Sequence, residues 1–478
     1  MTAPDANARR ISPHERMISQ VDAKASRSEK YDLTRGSILN KLLLVALPIM
    51  GTQIIQMAYN MTDMFWLGKI GSHAVAASGT VGMYMWLSVA FQMLARIGAE
   101  IGVSQSLGKE RADEAGVFAA AGFWLSVACG LLYALVLGIF RVPLVGFFAI
   151  QEADVVADAI NYMLIICAGL PFTFITAAVT GIFNGSGNSR VPFIINLIGL
   201  GANMALDPLF ILGLGQGVAG AAVATAAAQI LAGVLSIAVM LNARFKPLRT
   251  LRLNALPSLK HALQILRWST PVCIESFFFT FLSMIVSRMI AEWGAGAIAA
   301  QKVGSQIESL SWLIAGGFSS AIGAFVGQNF GAGHWRRVHE GVRISSMAMA
   351  LWGVVVTALL YFGGSAILGA FLPGETESIA AGTSLLRILA LCQIAGCLEG
   401  VASGAFRGLG HTAPPSIISI STNMLRVLLA YLLSRGPLGL DGIWWGMSLG
   451  ALLRGGGMYI WYLIYARRQP KDDAVEAR

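Results

Sequence analysis

The chain has 478 residues, of which 56% are hydrophobic and 12% are charged, and its mean hydropathy is +0.67. Water-soluble domains carry roughly 25% charged residues, so this composition excludes an ordinary soluble globular protein. The formal net charge is +9 at neutral pH. We attribute that charge to membrane topology and to contact with anionic lipid head groups, and expect no nucleic-acid partner.

Apolar stretches recur along nearly the whole chain, each long enough for a helix of about 20 residues to cross a bilayer core. They do not alternate polar and apolar residues, as the strands of a membrane barrel would. Breaks at Gly, Pro and charge clusters divide the chain into twelve predicted spans. The spans are residues 38–66, 75–104, 114–141, 158–183, 192–213, 218–241, 268–291, 297–327, 340–363, 380–404, 414–434 and 441–465. The predicted fold class is an all-α polytopic membrane protein.

Residues 48–192 and 271–415 repeat one pattern at a constant offset of 223 positions. The repeated landmarks are Pro48 and Pro271, Gln105 and Gln328, Gly108 and Gly331, and the Gly-x-Phe-x-Gly-x-Gly turns that begin at Gly181 and Gly404. A constant offset indicates duplication with almost no insertion. Internal repeats in an apolar chain are typical of transporters, in which two related bundles move about a site between them. We therefore predict two six-helix lobes in a parallel repeat.

The domain boundaries follow from the spans. We predict a disordered cytoplasmic tail at 1–37, an N-terminal lobe at 38–241, a basic cytoplasmic linker at 242–267, a C-terminal lobe at 268–465 and a second cytoplasmic tail at 466–478. The first tail has no apolar segment before a small-residue cleavage site, so no removable signal peptide is predicted.

The distribution of Lys and Arg predicts the orientation in the membrane. Most of the 34 Lys and Arg residues fall in the termini and in alternate loops on one side, whereas Lys69, Arg141 and Arg435 fall on the other. Cytoplasmic loops are enriched in Lys and Arg. We therefore place both termini in the cytoplasm and the chain in the plasma (inner) membrane.

Several short motifs occur in register across this duplicated chain. Asn60-x-x-Asp63 lies in the first span, Asn203-x-x-x-Asp207-Pro208 lies in the fifth, and both halves carry the Gln-x-x-Gly and Gly-rich turns. Over roughly residues 38–465 the chain resembles the multidrug and toxic compound extrusion (MATE) transporters, in particular their DinF-type and archaeal branch. The Gly-rich turns lack the Gly-x-x-x-x-Gly-Lys-Ser/Thr pattern of a phosphate loop, so an ion gradient rather than ATP is the expected energy source.

The resemblance implies a specific architecture and activity. Two six-helix lobes, related by a pseudo-two-fold axis along the membrane normal, would enclose a cavity that opens alternately to the two sides. The activity would be the export of amphipathic, often cationic drugs in exchange for protons or sodium ions. No cofactor other than the coupling ion is implied, and the protein is not expected to be an enzyme.

The N-terminal lobe carries two deep acids, and an ionisable group within a span needs a partner or a function. Tyr59 lies one helical turn from Asp63, and Asn203 lies one turn from Asp207. Thr225 adds a hydroxyl from the sixth span. Asp63, Asn203, Asp207 and Thr225 offer oxygen ligands for sodium, or the two acids would share one proton. The resemblance assigns all five residues to a cation-coupling site; the alternative is a structural hydrogen-bond network.

The C-terminal lobe carries Glu275 in the seventh span and Glu399 in the tenth. Other MATE branches have acidic coupling or substrate residues in this lobe, so we predict that both carboxylates face a substrate cavity. Relative to Arg407, however, Glu399 lies about one turn closer than the usual acid of the family. The alternative for both residues is a local pair between packed helices.

Three other functions would require different features in the sequence. A lipid-linked oligosaccharide or peptidoglycan-precursor flippase of the same superfamily would tend to line its cavity with Arg and Lys, whereas the candidate site charges within the spans of this chain are acidic. A membrane enzyme would need clustered ligands or a nucleophile, and the six His residues lie in the tail, in loops or near span ends. A channel would need a filter or a ring of like charges. One chain contains both lobes, so a monomer would suffice.

Overall fold

The computed structural model describes residues 31–148, 150, 152–242, 258–371 and 376–469. Long helices dominate these ranges. In chain order they are α1 (Ile38–Ile70), α2 (Ser72–Gly108), α3 (Ala112–Ile139), α4 (Arg141–Gly146), α5 (Ala153–Gly185), α6 (Arg190–Pro208), α7 (Gly217–Leu241), α8 (Leu259–Ala291), α9 (Ala295–Gly331), α10 (Trp335–Phe371), α11 (Thr376–Ala390), α12 (Gln393–Gly408), α13 (Ala413–Ser434) and α14 (Leu440–Arg467).

The helices match the predicted spans, with one span broken in two. Within the described ranges, ten helices are long and apolar enough to cross a membrane, and the bent pair α11–α12 would make an eleventh. Helix α14 stands where the twelfth span is predicted and is 28 residues long, but it carries Arg454 near its middle and is less apolar. The predicted all-α polytopic fold is confirmed.

The tenth span is bent by 50° between α11 and α12, which the sequence did not predict. The bend is not at a proline. Backbone carbonyls released by the break must find donors inside the protein, because lipid offers none. Three side chains supply them: Ser448 donates to the carbonyl of Ile388 at 2.9 Å, Gln393 to that of Leu389 at 3.0 Å and Thr357 to that of Ala390 at 2.8 Å.

Helix α1 belongs to both lobes. Its second half carries Asp63 and faces the N-terminal lobe, where α1 packs against α6. Its first half is buried in a different cluster: Leu42 and Val45 pack with Ile322 and Phe325 of α9 in the C-terminal lobe. Further interlobe contacts join α2 to α8, α9 and α12, α3 to α8, and α5 to α9. Helix α1 is therefore one of the elements that connect the two lobes.

At one end of the molecule the lobes are joined by a reciprocal pair of hydrogen bonds. The Gln105 amide donates to the Gly408 carbonyl at 2.9 Å, and the Gln328 amide donates to the Gly185 carbonyl at 3.0 Å. Gln328 and Gly408 are the counterparts of Gln105 and Gly185 at the offset of 223 positions. Each repeat thus binds the other through the same contact, as a pseudo-two-fold axis requires. We call this the closed end.

Backbone meets backbone at the closed end. A Cβ atom on Gly108 would lie 1.9 Å from the Gln328 carbonyl oxygen, and one on Gly331 would lie 2.2 Å from the Gln105 carbonyl oxygen. No side chain fits at either position. The repeated Gln-x-x-Gly motif is therefore explained by the interlobe contact, in which Gln supplies the hydrogen bond and Gly permits the approach.

A short segment before α1 is inserted at the closed end. Leu33 is 0% exposed, its N–H donates to the Gln328 side-chain oxygen at 2.9 Å, and its carbonyl accepts from Asn329 at 3.1 Å. A Cβ atom on Gly187, in the N-terminal lobe, would lie 2.5 Å from the Tyr31 carbonyl oxygen. Residues 31–37, assigned by sequence to a disordered tail, thus pack against both lobes. Residues 1–30 of that tail and 243–257 of the linker lie outside the described ranges.

Candidate functional site

Helix α6 changes geometry where it delivers Asp207. The α-helix ends at Pro208 and continues as a π-helical turn, Leu209–Gly213. Because Pro208 has no N–H, the carbonyl of Met204 loses its helical partner. Single π-helical turns often mark functional positions within helices. The chain after Asp207 therefore continues as a π turn rather than as a regular α-helix.

Close packing brings α7 against this turn. A Cβ atom on Gly220 would lie 2.6 Å from the Phe210 carbonyl oxygen, so the absence of a side chain sets the approach of the two elements. Thr225, five residues farther along α7, is buried with its hydroxyl beside Tyr59 and Asp63. The close approach at Gly220 therefore helps to bring the Thr225 hydroxyl to Tyr59 and Asp63.

The five residues predicted for cation coupling do converge. Asn203 and Asp207 are both 0% exposed, and the Asn203 amide donates to one Asp207 carboxylate oxygen at 3.1 Å. Other oxygens of the group are buried without a hydrogen-bond partner. They are Tyr59 Oη, Asp63 Oδ1, Asn203 Oδ1, Asp207 Oδ2 and Thr225 Oγ1, which we call the N-lobe oxygen cluster. A buried polar atom without a partner costs about 1–3 kcal/mol, so the cluster is suited to a bound proton or cation.

The acids of the cluster have no ion-pair partner among the described residues. Within the described ranges, neither Asp63 nor Asp207 has a basic side chain within 4.0 Å, and the two carboxylates act electrostatically on each other. Carboxylate, amide and hydroxyl oxygens are donors for hard cations. Two carboxylates in a poorly solvated site also suit one shared proton. The donor set therefore fits either coupling ion.

Tyr162 on α5 is a member of the site that the sequence did not single out. It is buried and interacts electrostatically with Asp63, Tyr59 and Asp207. It lies in an apolar run like any core aromatic residue, so no local signal distinguishes it. Only the packing of α5 in the fold brings it to the cluster.

The second predicted group lines a cavity of about 310 Å³ between the lobes. Helix α2 supplies an apolar wall that includes Trp86 and Met93. The C-terminal lobe supplies a mixed wall that includes Glu275 and Glu399. Both acids therefore lie where a substrate between the lobes would meet them. At 1.5 Å per residue, Met93 lies about 18 Å along α2 from Gln105 of the closed end.

The two cavity carboxylates have different partners. Arg454 Nε donates to Glu399 at 2.8 Å in a nearly buried ion pair, and Arg454 Nη1 donates to Asn423 at 3.2 Å. Glu275 accepts a hydrogen bond from Ser416 at 2.8 Å and, within the described ranges, has no ion pair. Glu399 therefore lines the cavity, as predicted, and also forms the local pair between packed helices that was its alternative.

Buried arginines are the feature that the sequence analysis underrated. Arg454 lines the cavity, and Arg426 lies behind it, over the Phe279 ring at 5.4 Å and donating to Ser283 at 3.0 Å. The deep charges are therefore mixed in sign rather than acidic. The available signal was the position of both arginines inside predicted spans, where a charge needs a partner.

The chain is similar to known proteins both in sequence and in fold. The family model described as MatE matches residues 48–209 and 271–432, one match in each repeat. Multidrug resistance protein NorM of Thermotoga maritima is 27% identical over 424 residues, covering 87% of this chain and 90% of the relative. Its namesake from Pseudomonas aeruginosa is 28% identical over 461 residues, covering 92% of each chain.

Solved structures share the fold. A crystal structure of a MATE protein in the bent conformation superposes with a TM-score of 0.86 at 20% identity, covering 92% of this chain and 97% of that chain. An outward-facing multidrug resistance MATE transporter superposes with a TM-score of 0.83 at 20% identity, covering 92% and 99%. A Pyrococcus furiosus superfamily member described as having reversed binding-pocket polarity also gives a TM-score of 0.83, at 20% identity over 91% of this chain and 98% of that one.

Proposed function

Because the chain belongs to the MatE family of membrane transporters, we propose that it is a multidrug exporter driven by inward flow of protons or sodium ions. The relatives named multidrug resistance proteins support this substrate class. Its substrates are amphipathic, cationic compounds taken from the cytosol or the inner leaflet. The protein works as a monomer in the plasma membrane, with both termini in the cytoplasm.

One observation carries the proposal: the carboxylates fall into two separate sites of different character. The N-lobe oxygen cluster is buried and polar, and its two acids have no basic side chain within 4.0 Å among the described residues, which suits a small cation. The interlobe cavity is larger, largely apolar and carries Glu275 as its unpaired acid, which suits an amphipathic cation. An antiporter needs two such sites.

Helix α1 supplies the coupling between them. Cation binding at Asp63 and Asp207 removes charge from the N-terminal lobe, and α1 carries Asp63 while its first half packs against the C-terminal lobe. Coupling requires that the cation bind one conformation more tightly than the other. The packing of α1 in the N-terminal lobe depends on the charge of Asp63 and provides that difference. A shift of α1 would act directly on its contact with the C-terminal lobe.

The described conformation fits one stage of this cycle. The closed end lies beside the loop with Lys109 and Arg111, which the charge distribution assigns to the cytoplasm. With that orientation the described conformation is closed toward the cytosol, because the Gln105 and Gln328 contacts separate substrate in the cavity from the cytosol. Cation binding then favours release and return to the inward-facing state.

The test is transport of a fluorescent lipophilic cation by purified protein in proteoliposomes. A pH gradient alone, with the outside more acidic, and then a sodium gradient alone, with more sodium outside, are imposed on the same vesicles. Efflux driven by one of the two gradients is the expected result, and it names the coupling ion. Equal rates with and without either gradient would contradict antiport.

A lipid-linked oligosaccharide or peptidoglycan-precursor flippase is the second candidate, and Arg454 in the cavity wall is the observation in its favour. A pyrophosphate needs arginines that are free to bind it. Arg454 is instead held by Glu399 and Asn423, which favours the cationic substrate. Gradient-independent movement of a labelled lipid-linked sugar, with no transport of cations, would reverse this ranking.

A further inference from the structure

The polar wall of the cavity holds acids and a base whose arrangement limits the charge it can accept. Glu275, Glu399 and Arg454 line the same space, and all three come from the C-terminal lobe. The facing wall, from α2, is apolar and includes Trp86, Val89 and Ala90. Any charge recognition in this cavity must therefore come from one side.

Arg454 is fixed at that wall. It is 5% exposed, it binds Glu399 and Asn423, and its guanidinium lies over the Trp312 ring at 5.5 Å. Guanidinium groups stack on indole faces and pair with carboxylates through a planar set of donors. With contacts on three sides, Arg454 has no freedom to leave Glu399 for a substrate anion.

The residues that line the cavity carry one acid more than base: Glu275 and Glu399 against Arg454. Behind the cavity, Arg426 is near Glu308, which accepts from Trp312 and Gln393. Toward the closed end, Arg407 is near Glu100 of the other lobe and near Glu275, and it donates to Ser319. Among the described groups that line the cavity, Glu275 is the acid with no ion-pair partner.

We propose that Arg454 is a specificity-determining residue that holds the cavity at one free negative charge, so that the transporter selects monovalent over divalent amphipathic cations. This inference rests on the proposed function. Arg454 neutralises Glu399, and Glu275 balances the single charge of the substrate. A second positive charge entering the cavity would be desolvated without a counter-ion and would also face Arg454.

The proposal makes a sharp distinction between removing one partner and removing both. Arg454→Met frees Glu399, so the cavity gains a second uncompensated carboxylate and should accept a dication. Glu399→Gln combined with Arg454→Met removes both charges and leaves Glu275 alone, so selectivity should match that of the unmodified protein. Glu275→Gln should abolish binding of the monocation. Losing a whole buried pair is also tolerated better than losing one partner.

The test measures binding of tetraphenylphosphonium, a monocation, and dequalinium, a dication, to purified full-length protein by quenching of tryptophan fluorescence. We expect the unmodified protein and the double variant to prefer the monocation. Arg454→Met should shift the ratio of the two dissociation constants toward the dication by about tenfold or more, equivalent to ~1.4 kcal/mol.

Two results would overturn the proposal. One is a folded Arg454→Met variant with an unchanged ratio. The other is a shift of the double variant toward the dication, and this second result decides the matter even if Arg454→Met alone does not fold. Failure of the proposed function is a different outcome: the unmodified protein would then bind neither cation and would give no gradient-driven efflux.

Discussion

The two lobes place charge at different points of one duplicated scaffold. At the offset of 223 positions, Asp63 and Asp207 correspond to Val286 and Ala430, both buried among apolar side chains. Asn203, which binds Asp207, corresponds to Arg426. Within the described ranges, Asp63 and Asp207 have no base within 4.0 Å. The C-terminal lobe instead places Arg426 near Glu308 and pairs Arg454 with Glu399.

The converse comparison holds for the cavity. Glu275 and Glu399 correspond to Thr52 and Thr176 in the other repeat. The fold thus does not require charge at either set of positions. Unpaired acids in one lobe suit a reversible charge, taken up and released as a proton or cation, while paired charges in the other suit a fixed electrostatic wall.

The largest effect should follow from removing the reversible charge. Asp207→Asn keeps the size of the side chain but can neither bind a cation strongly nor exchange a proton. We expect gradient-driven efflux to fall by at least about tenfold, because coupling needs a charge that changes between states. Rates are measured in proteoliposomes at matched protein content.

Two variants calibrate that experiment. Asp113→Asn changes an exposed acid at the start of α3 and should leave efflux unchanged. The double change Glu399→Gln and Arg454→Met removes charge from the other lobe and should retain the dependence on the gradient. Efflux by Asp207→Asn at the unmodified rate would show that the N-lobe oxygen cluster is a structural network after all.

A second variant transfers the N-lobe acid to its counterpart. Ala430→Asp places a carboxylate where α13 and α14 touch: a Cβ atom on Gly446 would lie 2.4 Å from the Ala430 nitrogen. The charge would have neither space nor a partner, so we expect destabilisation of about 3–5 kcal/mol. The melting temperature, read by size-exclusion chromatography after heating, should fall clearly.

The matched change in the other lobe has the opposite expectation. Asp207→Ala removes one of two carboxylates that repel each other, so the melting temperature should stay constant or rise. Equal losses of stability in the two variants would mean that the lobes treat charge at this position alike, contrary to the comparison.

The smallest effect concerns the contact that the lobes share. Gln105→Leu and Gln328→Leu each remove one interlobe hydrogen bond and leave a buried carbonyl unpaired, at about 1–3 kcal/mol. Gln328 also accepts from the Leu33 N–H, a contact that Gln105 does not make with any described residue. The Gln328 variant should therefore open the closed end more often.

Spin labels at Lys109 and His334, both exposed beside the closed end, report this opening as a longer distance between the lobes. The expected order of the longer-distance population is Gln328→Leu, then Gln105→Leu, then the unmodified protein. A larger effect of Gln105→Leu would mean that the segment containing Leu33 does not hold the closed end.

Much of the fold was predictable because its signals are local or periodic. Apolar runs predict the spans, a constant offset predicts the duplication, and an acidic residue inside an apolar span can be recognised from the sequence alone. Asp63, Asn203 and Asp207 were found in this way. The convergence of Tyr59 and Thr225 followed from the resemblance, and their role in coupling stays a prediction.

The remaining features depend on how the helices are rotated against one another. In a soluble protein the polar face of a helix shows which side is exposed to water and the apolar face shows which side is buried. In a membrane both faces are apolar, so this signal is lost. Tyr162 and the Glu399–Arg454 pair could not be placed for that reason. The bend before Gln393 was missed because its donors, such as Ser448, come from distant helices.

Because the segment that contains Leu33 packs at the closed end, its sensitivity to protease should report the conformational state of the transporter. The backbone around Arg35 is held through Leu33 and through the Gly36 carbonyl, which accepts from Arg337 at 3.1 Å. Proteases cut chain that has been released from such contacts. Trypsin cleavage after Arg35 should therefore be slow while the lobes are joined and fast when they part. The amount of a fragment that begins at Gly36 would then measure how often the transporter faces inward, in native membranes and without any label.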